Sequence, residues 1–264
     1  MSDAATTTIV TGASDGIGLE LAKLFARKGR HVTLVARRRE RLEALAGEIE
    51  AAGAPERPLV VDLDLCATGA CESLAETLRA AGRKPEILVN NAGFGLVGRV
   101  AELDAAEQLA IVDLNIRALT ALTLRFLPSV IETRGGILNV ASVASFMPGP
   151  GFAVYYASKA YVRSFSEALA EELKPHGVRV TALCPGPVQT GFQERAGFDY
   201  KGEMKAVKPA LLPAEEVARQ GYEALFSGRR VVVPGLVNKF FVAAGRAAPR
   251  AILLPLLAKA QQAR

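Results

Sequence analysis

The chain reads as an α/β protein, a single doubly wound domain over residues 1–264 in which a seven-stranded parallel sheet carries helices on both faces. Short, nearly continuous apolar runs alternate with longer amphipathic stretches, as parallel βαβ units require, because a strand covered on both faces has no polar side. The composition supports one core: a chain 50% hydrophobic and 22% charged can bury a large interior, and no repeat, low-complexity tract or linker divides it.

The strands are predicted at 7–11, 31–36, 58–62, 87–90, 136–141, 178–184 and 230–233. Helical patterns lie between them at 16–29, 39–53, 68–82, 104–131, 155–174 and 213–227. Residues 190–212, rich in glycine, lysine and aromatics, read as a lid over substrate. Residues 234–264 read as a basic helical extension: there is no acid from Ala224 onward, while Arg229, Arg230, Lys239, Arg246, Arg250, Lys259 and Arg264 are all cationic.

The first strand runs into Gly12-Ala13-Ser14-Asp15-Gly16-Ile17-Gly18 and then an amphipathic helix. In such a loop Gly12 permits the tight turn, Gly16 lets backbone amides approach a pyrophosphate, and Gly18 lets helix pack on strand, with phosphate at the helix N-terminus. The spacing differs from the common Gly-x-Gly-x-x-Gly pattern, and a glycine-rich turn without a ligand is the plainer alternative. Further along, Tyr155 and Lys159 are four residues apart in a helical stretch, so both side chains share one face. A nearby ammonium favours the phenolate, so this spacing predicts a lowered tyrosine pKa and a group able to exchange a proton at neutral pH. Ser142, delivered from the end of a neighbouring strand, would hold a substrate oxygen against it. Taken alone, an aromatic and a basic residue at this spacing also describe a half-buried surface pair.

These segments together resemble the short-chain dehydrogenase/reductase family in its form of about 250 residues. Thr11 to Gly18 is similar to its cofactor loop, Asn90-Asn91-Ala92-Gly93 to its strand-four motif, Tyr155-Tyr156-Ala157-Ser158-Lys159 to its Tyr-x-Ala-Ser-Lys box, and Pro185-Gly186-Pro187-Val188-Gln189-Thr190 to its Pro-Gly segment. The resemblance implies a Rossmann-like fold and carbonyl–alcohol redox chemistry. It makes Tyr155 the proton donor in reduction, Lys159 the ribose-binding base partner, Ser142 the carbonyl-orienting hydroxyl, and Asn115 the support of a proton-relay water. It places Asn91, Ala92 and Gly93 beneath the cofactor with Ile17, sets Asp62 and Leu63 at the adenine, and brings Pro185, Gly186 and Val188 to the cofactor, with Thr190 holding its carboxamide or its diphosphate. Asp62 would equally cap the next turn. Helices 104–131 and 155–174 are where the family forms dimers and tetramers, so a homodimer or homotetramer is implied.

The second strand ends at Ala36, followed by Arg37-Arg38-Arg39, where an NAD-selecting carboxylate would otherwise bind the ribose hydroxyl. Guanidinium groups match a 2′-phosphate, so NADP(H) is expected, with Arg37 the leading contact, Arg38 the second and Ser14 adding a hydroxyl. The alternative is that these arginines open a charged surface helix. Tyr156 also lies near the lysine face, but the box spacing selects Tyr155.

A hydrophobic ketone, aldehyde or acyl derivative is suggested by Phe94, Leu96, Phe146, Met147, Phe152, Phe192, Phe198 and Tyr200 in the predicted pocket segments. Three cysteines without metal-type spacing argue against disulfides and for a reducing cytoplasm, and no metal site is indicated. The net charge of +5 is not gathered into an aromatic-studded patch, which argues against nucleic acid. No basic-then-apolar leader or membrane-length apolar run is present in the sequence. The basic extension is expected to pack on the substrate side or on a second subunit, with contact to anionic lipid as the second reading. A non-catalytic NADP-binding regulator and an epimerase-type enzyme are the rival functions; the first has no need for the full Asn115, Ser142, Tyr155 and Lys159 set, and the second usually needs a larger substrate domain.

Overall fold

The computed structural model of the chain describes residues 5–188, 191–197 and 210–262. Seven parallel strands form one sheet in the order β3-β2-β1-β4-β5-β6-β7. They are β1 (Ala5–Thr11), β2 (Val32–Ala36), β3 (Leu59–Asp62), β4 (Arg83–Asn90), β5 (Gly136–Val140), β6 (Arg179–Leu183) and β7 (Val231–Val232). The helices are α1 (Gly16–Arg27), α2 (Arg39–Ala51), α3 (Ala70–Ala80), α4 (Ala105–Val112), α5 (Leu119–Glu132), α6 (Ala153–Glu172), α7 (Gly191–Ala196), α8 (Ala214–Phe226), α9 (Leu236–Ala247) and α10 (Arg250–Gln262).

The apolar strands sit between two cores. On one face, Leu21 and Phe25 of α1, Leu42 and Leu45 of α2, and Val217 and Leu225 of α8 pack with Val10, Leu34 and Val89. On the other, Leu74 and Leu78 of α3, Leu122 and Phe126 of α5, and Leu169 of α6 pack with Ile9, Leu88 and Ile137. Strand order reverses between β1 and β4: connections from β1 run outward to β3, and those from β4 run outward to β7. The segments after β1 and β4 therefore diverge and open a crevice at the carboxyl ends of the strands.

Two elements depart from the sequence expectation. Strand β4 begins at Arg83 rather than 87, because Arg83, Lys84 and Pro85 pair with Ala5, Thr6 and Thr7 ahead of a register irregularity at Thr7/Thr8. The helix expected over 104–131 is instead α4, a π-helical stretch Asp113–Ala118, and α5. That wider turn contains Asn115, whose inward-facing amide has partners outside the helix, described below; π-helical bulges commonly mark such sites. Asp104 starts α4 by accepting a hydrogen bond from Glu107 N at 2.9 Å.

Behind the crevice a buried polar chain ties sheet to helices. Asn90 Nδ2 donates to Asn139 Oδ1 at 2.9 Å and to Thr123 Oγ1 at 3.1 Å. Asn139 Nδ2 donates to Ser166 Oγ at 2.9 Å, and Ser166 Oγ donates to Val162 O at 2.6 Å. Strands β4 and β5 are thereby registered against α5 and α6, which carry the residues of the crevice. Replacing Asn139 strands a buried amide and a buried hydroxyl, so Asn139→Ala is expected to lower unfolding free energy by about 1–3 kcal/mol in urea titration; an unchanged midpoint would show that the chain bears no load.

Candidate active site

The glycine loop is held from β4. Asn91 Nδ2 donates to Thr11 O at 2.9 Å and Gly12 O at 3.2 Å. Thr11 Oγ1 accepts from Asn91 N at 3.0 Å and Ala92 N at 3.1 Å, and donates to Val89 O at 3.1 Å. The glycines follow from this crowding. A Cβ on Gly12, which has φ +65°, would stand 2.8 Å from Asn91 Nδ2, and one on Gly18 would stand 2.3 Å from that atom and 2.4 Å from Gly12 O. Ile17 is half-buried against the core, and α1 starts at Gly16 without a side-chain cap. This narrow, glycine-rich turn at a helix N-terminus fits a dinucleotide's pyrophosphate.

Helix α6 brings Tyr155 and Lys159 beside Ser142, and all three are buried. Ser142 opens the short 3-10 helix Val143–Phe146, accepting from Ala144 N at 3.1 Å and donating to Pro185 O at 3.5 Å. Its hydroxyl also faces the Tyr155 phenol, near enough to favour the phenolate. Phe152 stacks on the Tyr155 ring at 4.4 Å. Lys159 Nζ donates to Val140 O at 2.8 Å and lies 5.8 Å from the Tyr155 ring centroid. Tyr156 is turned toward Gly149, where an added Cβ would meet its ring at 2.5 Å. The two tyrosine rings therefore face different neighbours.

The expectation of a lowered tyrosine pKa is corrected. Burial pushes the phenol well above its ordinary value; the neighbouring Ser142 hydroxyl opposes this, and Tyr156 adds to it. Burial also pulls Lys159 down to about 8. Desolvation outweighs attraction here because both side chains are buried and the ammonium is bonded to a carbonyl rather than to the phenol oxygen.

Asn115 is buried with its amide committed: Nδ2 donates to Phe94 O at 2.9 Å and to Ser158 Oγ at 3.0 Å, while Oδ1 accepts from Phe94 N at 3.1 Å. The side chain fixes the loop after β4 to α6. Gly93 fits under this clamp, since a Cβ there would lie 2.9 Å from Asn115 Oδ1 and 3.4 Å from Lys159 Nζ.

At the end of β2 the three arginines divide. Arg38 Nη2 and Nε donate to Ser14 Oγ at 2.9 and 3.2 Å, so Arg38, rather than the favoured Arg37, reaches the glycine loop. Arg37 is exposed beyond it. Arg39 pairs with Asp62 at 2.9 Å and with Glu43, which leaves Asp62 tied to a neighbouring cation. Leu63 packs on the second core, its N–H bonded to Ala36 O at 3.0 Å.

After β6, Pro185 braces Ser142, Gly186 packs against Asn238, and Val188 forms a bridge with Leu212. Thr190 lies outside the described residues, as do Phe198, Tyr200 and most of the predicted lid. Within that span, α7 sits against the crevice: Phe192 lies 5.4 Å from the Tyr155 ring and Val97 N donates to Ala196 O at 2.9 Å. Of the predicted pocket residues, Phe152 and Phe192 flank Tyr155. Phe146 instead joins Val162, Cys184 and Val242 behind the serine, under the Arg163 guanidinium at 4.4 Å.

Sequence reasoning did not single out Thr11 as the glycine-loop anchor, nor Ser158 as the partner of Asn115. Both lie inside quoted motifs, but their tasks depend on distant neighbours. Among the described residues no three His, Cys, Asp or Glu side chains converge as a metal site would require.

A family model described as short chain dehydrogenase matches residues 6–200. Among curated proteins, the chain is 38% identical over 215 residues to sulfoacetaldehyde reductase 2 of Chromohalobacter salexigens, covering 80% of this chain and 84% of that one. Among solved structures, a short-chain dehydrogenase from Sphingobium yanoikuyae in complex with NADPH superposes with a TM-score of 0.79 at 30% identity over 95% of each chain. A short-chain dehydrogenase/reductase from Burkholderia phymatum in complex with NAD gives 0.79 at 26% identity, covering 92% of this chain and 93% of that one.

Proposed function

The chain belongs to the short-chain dehydrogenase family, and from that premise we propose that it is an NADP(H)-dependent oxidoreductase interconverting an apolar carbonyl compound and its alcohol, with Tyr155 as general acid and base. Family membership itself carries the coarser statement, an oxidoreductase that acts on alcohol or carbonyl groups with a nicotinamide cofactor. The observation that carries the finer one is the meeting of Ser142, Tyr155 and Lys159 in one buried corner at the crevice.

A substrate carbonyl oxygen between Ser142 and Tyr155 would accept hydrogen bonds from both hydroxyls. Burial keeps the phenol protonated, which suits it to donate as the oxygen gains charge in reduction. Lys159, charged below about 8, stabilises the phenolate left after that transfer. Bound nicotinamide supplies the hydride. Gly12, Ser14, Gly16, Gly18, Asn91, Ala92 and Gly93 would hold the dinucleotide, with Thr190 at its carboxamide or its diphosphate.

Preference for the 2′-phosphate rests on this chain's own residues, because NADPH and NAD both occur in the similar structures. Arg38 already spans from β2 to Ser14, Arg37 stands exposed next to it, and Ala36 occupies the position of a selecting acid. A 2′-phosphate would compete with Asp15, 3.8 Å from Arg38. An apolar substrate is supported by Val97, Phe152 and Phe192 around Tyr155, in contrast to the small anionic aldehyde for which the 38% relative is named. A homodimer or homotetramer is supported by exposed Leu109, Leu124 and Tyr161 on α4, α5 and α6. Among the described residues no helix is long and apolar enough to cross a membrane, and a cytoplasmic setting is the reading of free Cys66, Cys71 and Cys184.

Tyr155→Phe should cut kcat/KM for reduction by about 100- to 10,000-fold while NADPH affinity, read by fluorescence titration, stays as in the parent; retained turnover would remove Tyr155 from the proposal. Arg38→Ala should weaken NADPH binding by about 1.5–3 kcal/mol and leave NADH binding unchanged, with Arg37→Ala acting in the same direction. Equal losses for both dinucleotides would end the 2′-phosphate argument.

A further inference from the structure

Helix α9 covers the domain with one face and leaves the other bare. On the inner face of α9, Asn238 donates to Pro234 O at 2.9 Å and Ala210 O at 3.2 Å, and it packs so closely on Gly186 that a Cβ there would stand 2.2 Å from its Oδ1. Val242 is buried with Phe146 and Cys184, and Gly245 admits Met147, whose Cε would stand 2.5 Å from an added Cβ. This inner contact is the substrate-side packing expected of the extension. It braces the segments that follow Ser142 and β6.

The outer face has no such partner among the described residues. Leu236 is 81% exposed, Phe240 76% and Phe241 56%, with Val237 exposed on the same helix; Ile252 and Leu256 are exposed on α10. Isolated apolar side chains on a surface are ordinary, but Leu236, Val237, Phe240 and Phe241 fall on one side of α9 and together form a patch that water does not favour. Its surroundings are cationic: Lys239, Arg246, Arg250 and Lys259 are exposed, and no Asp or Glu follows Glu223 in the chain.

We propose that this outer face is an interfacial surface that rests on anionic phospholipid, with Phe240 and Phe241 at the acyl boundary and Lys239, Arg246 and Arg250 among the headgroups. An amphipathic helix with aromatic and basic residues of this kind gains both from apolar burial and from attraction to negative lipid. A second copy fits less well. A symmetric contact would set an acid-free surface against its own cations, and Leu109, Leu124 and Tyr161 offer a separate face for self-association. Because the inner side of α9 backs Met147 and Gly186, lipid contact falls on the substrate side of the domain. The inference stands independently of cofactor choice and of the role of Tyr155.

The test is flotation of the full chain with vesicles of phosphatidylcholine alone or containing about a third phosphatidylserine. Binding is expected only to the anionic vesicles and should fall away at about 0.5 M salt as charge is screened. A Phe240→Asp/Phe241→Asp variant and a Lys239→Glu/Arg246→Glu variant should each reduce the bound fraction at least about tenfold, with thermal melting and NADPH binding unchanged. Absence of binding to either vesicle, or equal binding to both, overturns the proposal. So does a concentration-dependent dimer that the phenylalanine variant dissociates without any vesicle binding by the parent, since the patch then belongs to a second copy.

Discussion

A buried ammonium must be held by something, and Lys159 is held by the Val140 carbonyl at the end of β5. An unpaired charge in such a place is costly, so the geometry around it is closely constrained. Gly93 is small because a side chain there would press on Lys159 Nζ and Asn115; Ser142 stands two residues beyond Val140; and Tyr155 lies one helical turn before the lysine on α6. Burial lowers the lysine to about 8 and raises the phenol, so the pair holds its protons as an acid-ready couple around neutral pH rather than as a phenolate. The sheet, the polar chain behind it and the π-helical turn all serve to bring these groups to one corner.

The second constraint is topological. Reversal of strand order between β1 and β4 opens the crevice, and Asn91 and Thr11 sew its two sides together at the glycine loop. The Ser142, Tyr155 and Lys159 corner and the glycine loop are therefore mechanically joined. Asn91 holds the loop, Asn115 holds Phe94 two residues past Ala92, and Ser158 joins Asn115 to the helix that carries Tyr155.

Much of this was legible in the sequence, for physical reasons that also explain what was not. Continuous apolar runs mark strands buried on both faces, and all seven were found, whereas the start of β4 was hidden because Arg83-Lys84-Pro85 carries no apolar signal and pairs only through its backbone. The pair Tyr155 and Lys159 was visible as helical spacing. The direction of their pKa shifts was not, because burial belongs to the tertiary structure. Likewise, helical periodicity runs unbroken through 104–131, and the π-helical turn arises where Asn115 finds partners on the β4 loop and on α6. The arginine triplet announced a cationic strand end, but which guanidinium reaches Ser14 depends on how the chain turns into α2. Phe146 read as pocket lining, yet it turns inward toward Val242 of an extension whose docking site no local pattern reveals.

The account turns on a protonated Tyr155 served by a charged, buried Lys159, and the pH dependence of reduction examines that pairing most directly. Because the lysine's folded pKa is depressed to about 8, its charge is present below that value and lost above it. Steady-state kcat/KM for NADPH-driven carbonyl reduction should therefore hold steady on the acid side and fall as pH rises through about 8. A profile that stays flat, or climbs, across that range would contradict the account.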